Sequence, residues 1–330
     1  MKLNSVSQLK TTMLALCRQT GKIAILTHGN PDGDGLAAAL ALQDILHFSG
    51  FVSDIVIEET APDFLDFLSV KDKVKIYEPE MEYQILILVD CHEPHRTGKC
   101  AALAEKASSL IAIDHHEPQE LNKHWYYYIK TDQVSAGAII FNTFASEINR
   151  MSQPRRKYVA DCIYTTILND TDGYMNSNTD AEVFRVSAKL VEAGTLPHII
   201  MELFLLNNTP EKLRFVGNAL SSIQTYDNGE ILFLHTTLAQ LEENDLTQEA
   251  TSKITRWIKG STGVKVFIYA RELAPDKYRL SLRSPAINCN QVCGKFGGGG
   301  HTAASGCQID APLDEMKEQI ISEVRRHLNE

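Results

Sequence analysis

Short apolar runs alternating with helical stretches dominate the first half of the chain. Residues 22–27 (KIAILT) read as a strand, and a Gly/Asp-rich turn leads into a helix over 36–48 with Gly50 as its stop. Residues 51–58 and 84–89 (QILILV) read as further strands, 101–107 as helix and 110–113 as strand. Strands that alternate with helices predict parallel βαβ units with right-handed crossovers. An unbroken apolar run such as 85–89 belongs in a sheet buried on both faces. From 134 to 207 the pattern is mostly helical, broken near Gly194 and Pro197. Strands return at 231–235, 264–271 and 278–283, followed by a glycine-rich loop at 297–300 and an amphipathic helix over 313–328. The expectation is an α/β chain with a doubly wound, mainly parallel sheet over 1–193, a linker over 194–215, and a smaller C-terminal α/β domain over 216–330.

Composition narrows this picture. A chain of 330 residues accommodates two cores, and 44% hydrophobic with 22% charged residues is a globular balance. No apolar run approaches the roughly 20 residues of a membrane span. The first ten residues lack an export signal, and the seven cysteines are an odd number. Both features predict free thiols in a reducing cytoplasm. The net charge of −10 argues against coating long duplex nucleic acid, which needs many Lys and Arg contacts to phosphates. A short nucleotide remains compatible, because a few local cations can reverse the sign inside a cleft.

The chemistry concentrates just after the apolar strands. His28, Asp32 and Asp34 follow KIAILT, Asp90 follows ILILV, and Asp114-His115-His116 follows LIAI; Asp170 and Asp172 close a helical run. Residues beyond the carboxyl ends of neighbouring parallel strands line one crevice. An isolated Asp-x-Asp is most often a turn or helix cap, and an isolated His pair is most often structural. Their recurrence at successive strand ends points instead to metal. Several carboxylates in one partly dry cleft repel each other unless cations neutralise them. Mixed imidazole and carboxylate ligation suits Mn²⁺, Fe²⁺, Co²⁺ or Zn²⁺, whereas Mg²⁺ prefers oxygen.

His28-x-x-Pro31-Asp32-Gly-Asp34, Val89-Asp90, Asp114-His115-His116 and Asp170-Thr171 resemble, in order and spacing, the motifs of the DHH phosphoesterase family. Gly297-Gly-Gly-Gly-His301 resembles the glycine signature of the associated C-terminal domain, and the overall plan is similar to the nanoRNase and pAp phosphatase branch. The resemblance implies two divalent metals, Mn²⁺ first with Mg²⁺ or Co²⁺ as alternatives. His28, Asp32 and Asp90 would hold one metal, and Asp34, Asp90, His115 and Asp170 the other. His116 would face the scissile phosphate and Asp114 would orient the histidines. Where this branch usually runs Asp-Thr-Gly, the chain reads Asp170-Thr171-Asp172-Gly173, so Asp172 stays open as the alternative ligand. The implied reaction is attack by a metal-bridging hydroxide on short oligoribonucleotides, linear dinucleotides such as pApA, or 3′-phosphoadenosine 5′-phosphate (pAp). The resemblance further implies an active site in the cleft between the two domains, and a homodimer also fits it.

In the C-terminal part, consecutive glycines let backbone N–H groups approach an anion. Gly298, Gly299, Gly300, His301, Arg283 and Ser284 are therefore the expected phosphate contacts, with Arg96 a further candidate and Arg283 and His301 also stabilising transition-state charge. Cys289, Cys293, His301 and Cys307 fit no common zinc spacing. In residues 125–128 (WYYY), alternating burial in a strand is favoured over base stacking. Three rivals remain: a single-strand-specific exonuclease of the same family, a pyrophosphatase of the same family, and a nucleotide-binding sensor without turnover.

Overall fold

A computed structural model describes residues 1–118, 121–251 and 254–328. The chain forms two compact units, Met1–Asn207 and Asn208–Glu330. The dividing point lies within residues 194–215, much of which is helical.

The first unit runs α1 (Val6–Cys17), β1 (Ile23–Leu26), α2 (Gly33–Phe48), β2 (Ser53–Ile57), β3 (Val74–Ile76), β4 (Ile85–Val89), α3 (Leu103–Lys106), β5 (Ser109–Asp114) and β6 (Tyr126–Ile129). Four helices follow: α4 (Ala136–Arg150), α5 (Gln153–Asp170), α6 (Ala181–Glu192) and α7 (Pro197–Leu205). The six strands pair in parallel in the order β3-β2-β1-β4-β5-β6. Strand order therefore reverses between β1 and β4, and ligands of doubly wound sheets bind outside the carboxyl ends at such a switch point.

The unbroken apolar runs match a sheet covered on both sides. Ile25, Ile87, Ile111 and Ile113 enter one core with α2, α4 and α5, while Ala24, Leu86, Leu88 and Leu110 enter the other. The aromatic run departs from simple alternation. Tyr127 and Tyr128 are both buried, one in each core, because β6 is covered on both faces too. Residues 1–3 close its outer edge, with Leu3 N–H donating to the Tyr127 carbonyl at 2.8 Å.

The second unit comprises α8 (Pro210–Ser221), β7 (Gln224–Tyr226), β8 (Ile231–Thr236), α9 (Leu238–Glu243), β9 (Val266–Ala274), β10 (Lys277–Arg283), α10 (Cys289–Gly294), β11 (Gly299–His301), β12 (Ala304–Asp310) and α11 (Leu313–Leu328). Its sheet order is β11-β12-β10-β9-β8-β7, mixed in direction, with only β8 and β9 parallel. Tyr278, Leu280 and Leu282 of β10 pack with α10 and α11, so Arg279, Ser281 and Arg283 point to the opposite face. No helix among the described residues is long and apolar enough to cross a membrane.

Candidate metal centre

The site begins with a helix cap. Asp32 is the N-cap of α2, its Oδ1 accepting from Asp34 N–H (3.0 Å) and Gly35 N–H (3.1 Å). The capping and ligand readings of Asp-x-Asp thus hold together: the cap fixes the carboxylate, and α2 starts at Gly33 rather than near residue 36. Asp34, in the first turn, is fully buried, and its two oxygens accept from Ala136 N–H (2.7 Å) and Gly137 N–H (3.2 Å) at the start of α4. A helix N-terminus is a natural seat for this anion. Asp90 follows β4 in a left-handed conformation (φ 61°), uncommon outside glycine and tolerated best by Asp and Asn.

These segments bring three overlapping groups of potential ligands together among the described residues: His28, Asp32 and Asp90; Asp34, His115 and Asp170; and Asp90, Asp114, His115 and His116. Asp90 also lies against the second group. Its Oδ2 is 3.4 Å from His28 Nε2 and its Oδ1 is 3.3 Å from His115 Nε2. His28 Nε2 is 3.6 Å from Asp32, and His115 Nε2 is 3.4 Å from Asp34 and 3.3 Å from Asp170. Such separations are long for hydrogen bonds but suit donors spaced around one cation with bonds of about 2.0–2.2 Å. Asp90 Oδ1 and Asp170 Oδ2 are buried without a hydrogen-bond partner, an arrangement that is costly unless a cation faces them. The donor set therefore fits two divalent metals. Asp172 is in none of these groups.

The electrostatics agree. Burial and the nearby charges of Asp90 and Asp32 raise the Asp34 carboxyl well above its ordinary range, and burial with Asp34 does the same to Asp170. Burial alone would lower His28, but the Asp32 and Asp90 carboxylates outweigh it and raise the imidazole to about 9. His115 is likewise raised to about 9, burial being overcome by Asp90 and Asp170. Burial opposes ionisation of Asp32, yet His28 and the α2 amide of Gly35 bring it down to about 2. Without cations, the cluster takes up protons to relieve its own charge.

Asp114 is fully buried and acts on its neighbours. Its Oδ1 accepts from His115 N–H (2.7 Å) and His116 N–H (3.2 Å) and bonds His116 Nδ1 (2.8 Å). That contact orients the half-exposed His116 ring and leaves Nε2 for another partner. Asp114 Oδ2 bonds His92 Nδ1. Burial would raise the Asp114 carboxyl, but His116 and His92 hold it well below the usual carboxylate range.

Two site residues escape sequence reasoning. His92 reads as a loop histidine, yet it is buried against Asp114. Asn169 donates to Asp32 Oδ2 (3.0 Å) and Asp170 Oδ1 (2.9 Å) and accepts from Gly33 N–H (3.2 Å), tying the first motif to the last. Its position next to Asp170 was the only available signal. Replacing His92 with Ala is expected to lower kcat about 10–100-fold, as for other residues that orient metal ligands, with metal stoichiometry and KM little changed. A kcat within twofold of wild type would remove His92 from this role.

Gly35 shows how tightly the switch point is packed. A Cβ there would lie 2.0 Å from Thr27 Oγ1 and 3.5 Å from Asp90 Oδ2. Gly35→Ala is expected to destabilise by about 1–3 kcal/mol through overpacking, with Thr27→Ala restoring most of the loss in the double variant. Denaturant unfolding of the three proteins checks this; additive losses would count against a shared contact.

The remaining expected contacts divide. Arg96 is half-buried in the 3₁₀ helix Pro94–Ala102 that follows β4, and its carbonyl accepts from Gly29 N–H (2.7 Å) beside His28. Arg283 and His301 are exposed. Ser284 is buried, and its hydroxyl donates to the Lys265 carbonyl and accepts from Ala286 and Ile287 N–H, so it shapes the turn before α10. The glycine run needs correction as an anion nest. Gly297, Gly298 and Gly300 donate their N–H groups to Gly294, Cys293 and Asn290, and Gly299–His301 pairs with β12. The glycines instead permit close packing: a Cβ on Gly298 would lie 2.2 Å from the Gly306 carbonyl. Cys289, Cys293 and Cys307 are buried thiols, and no ligand group among the described residues includes them.

A doubly wound sheet that gathers carboxylates and imidazoles around Asp90 has the donor set of a centre able to hold divalent metal ions. Comparison with known proteins supports the same class. The model of the DHH family, N-terminal domain matches residues 22–167, and that of the DHHA1 domain matches 232–330. The chain belongs to the DHH family. It is similar to the bifunctional oligoribonuclease and PAP phosphatase NrnA of Thermus thermophilus, 27% identical over 93% of this chain and 90% of that protein. The Bacillus subtilis protein of the same name is 22% identical over 91% and 93%. An exopolyphosphatase-related protein from Bacteroides fragilis shares the fold, with a TM-score of 0.88, 20% identity and 99% of each chain covered.

Proposed function

We propose that this chain hydrolyses phosphoester bonds in short oligoribonucleotides, linear dinucleotides such as pApA, and pAp, with Mn²⁺ as the preferred metal. The observation that carries the reading is Asp90, whose two oxygens face the two histidines of separate ligand groups. His28, Asp32 and Asp90 would hold one cation, and Asp34, Asp90, His115 and Asp170 the other. When bound, the pair supplies Lewis acidity and neutralises charge near an anionic ester.

The chain's own groups do the rest. Asp114 fixes the His116 ring by its Nδ1, so that Nε2 can hydrogen-bond a phosphoryl oxygen or pass a proton to the leaving ribose oxygen. Arg283 offers a planar fork for a second phosphate oxygen, His301 a further donor, and Arg96 a charge near the His28 loop. The names of the Thermus thermophilus and Bacillus subtilis relatives support nucleotide and short-RNA substrates.

The test is Mn²⁺-dependent product release from pAp, pApA, a long single strand and pyrophosphate, assayed side by side. Turnover of pAp and pApA well ahead of the long strand is expected. Preference for the long strand would replace this reading with an exonuclease, and nucleotide binding without turnover with a sensor.

A further inference from the structure

The second unit carries an arginine cluster that the phosphate contact at Arg283 does not explain. Among the described residues, Arg150, Arg155, Arg185, Arg214, Arg325 and Arg326 each pair with a carboxylate. Arg18, Arg96 and Arg156 of the first unit and Arg271, Arg279 and Arg283 of the second form no such pair among the described residues, and the last three stand together although the chain as a whole is acidic. These three lie on one face of the second sheet. Arg279 and Arg283 are four residues apart on β10, and Arg271 of β9 stands directly across from Arg279 in the antiparallel register. Like charges directly opposed in a sheet are destabilising. Burial and the Arg279 charge both lower the half-buried Arg271, which is otherwise held by a 3.0 Å bond to Thr251 Oγ1.

The groups facing this row are neutral. Across β10 on the β12 side, Gln308 opposes Arg279, Gly306 opposes Ser281 and Ala304 opposes Arg283. On the β9 side, Tyr269 opposes Ser281 and Phe267 opposes Arg283. The nearest acid in register, Asp310, lies beyond the row and pairs with Lys277 at 3.4 Å. Small residues at Ser281 and Gly306 leave the floor between the two exposed arginines low.

We infer that Arg271 and Arg279 form a second phosphate subsite, in line with Arg283, for the backbone of a single-stranded oligonucleotide. Two paired guanidiniums make a strong phosphate clamp, and the anion offsets their mutual repulsion. A strand rises about 3.3 Å per residue, so Arg279 and Arg283 are about 13 Å apart. That distance exceeds one nucleotide step, so the two subsites cannot share a phosphate. pAp would engage only the Arg283 end, while a chain of several nucleotides would reach both. This rests on the phosphodiester reading above and adds a length-dependent contact to it.

The test measures binding of a fluorescent RNA pentamer with cleavage-resistant phosphorothioate linkages to the metal-loaded full chain, alongside competition by pAp. Arg279→Gln is expected to weaken the pentamer about tenfold and pAp less than twofold. It should also reduce the salt-dependence slope by about 0.7 per lost phosphate contact. Arg271→Gln should act alike, Arg279→Lys should retain most binding, and Lys277→Gln, outside the row, should change neither ligand. Pentamer affinity within twofold of wild type in Arg279→Gln, or an equal loss for pAp, would overturn the subsite. A wild-type chain that showed this Arg279 dependence but cleaved no phosphoester would overturn the proposed hydrolysis and leave the subsite standing.

Discussion

Asp90→Asn is expected to lower turnover of pApA by more than about three orders of magnitude, roughly 4 kcal/mol of transition-state stabilisation. Asn suits the left-handed backbone at this position and keeps the shape of the side chain, so the loss isolates charge and donor number. The mechanism makes a further prediction that separates Asp90 from the other ligands. Titration of the variant with Mn²⁺ should show both sites weakened, because Oδ1 and Oδ2 face different groups. Asp170→Asn should weaken only one. In the metal-free protein the effect on stability should have the opposite sign. Above about pH 9, where His28 and His115 are neutral and no longer offset it, removing a buried negative charge that raises the Asp34 and Asp170 carboxyls relieves repulsion, so Asp90→Asn should there unfold at a higher temperature than wild type in chelator. Unchanged affinity at one of the two metals would show that Asp90 does not bridge.

The centre is legible in the sequence because buried parallel strands leave a simple trace. Residues 85–89 read as an unbroken apolar run, and Asp90 is the first polar residue beyond it; the same holds for 110–113 and Asp114. The sheet order follows less directly. β3 is only three residues long, half-buried or exposed, and carries no run to detect. Near the site, the hidden residues act through a partner. His92 and Asn169 have no strand end or motif of their own, and their meaning lies in contacts with Asp114, Asp32 and Asp170 across the fold. The glycine run illustrates the converse. Four successive glycines suggest free amides, whereas close approach of β11 to β12 consumes several of them, a constraint visible only once the hairpin is formed. Arg271 and Arg279 are unremarkable in sequence, eight positions apart, until the antiparallel register sets them opposite each other.

Metal removal should destabilise the first unit, and the penalty should grow as pH rises from about 6 to 9. His28 and His115 have folded-state pKa values raised from 6.5 to about 9. A raised value means stability that is fully present below 6.5 and lost as pH climbs through 9, up to about 3 kcal/mol per imidazole. Asp34 and Asp170 are raised as well, so their contribution has the same sign and is already declining above the ordinary carboxylate range. Asp32 and Asp114 are depressed and lose stability only in strong acid, outside this window. The metal-free chain should therefore melt lower at pH 9 than at pH 6, by the order of 10 °C. Cations bind the deprotonated ligands, so metal affinity should increase over the same interval with release of protons. Melting curves in chelator and in saturating Mn²⁺ should diverge steadily toward pH 9. A chelated protein whose melting temperature stays level or rises across that range would show that the cluster does not store the protons its geometry requires.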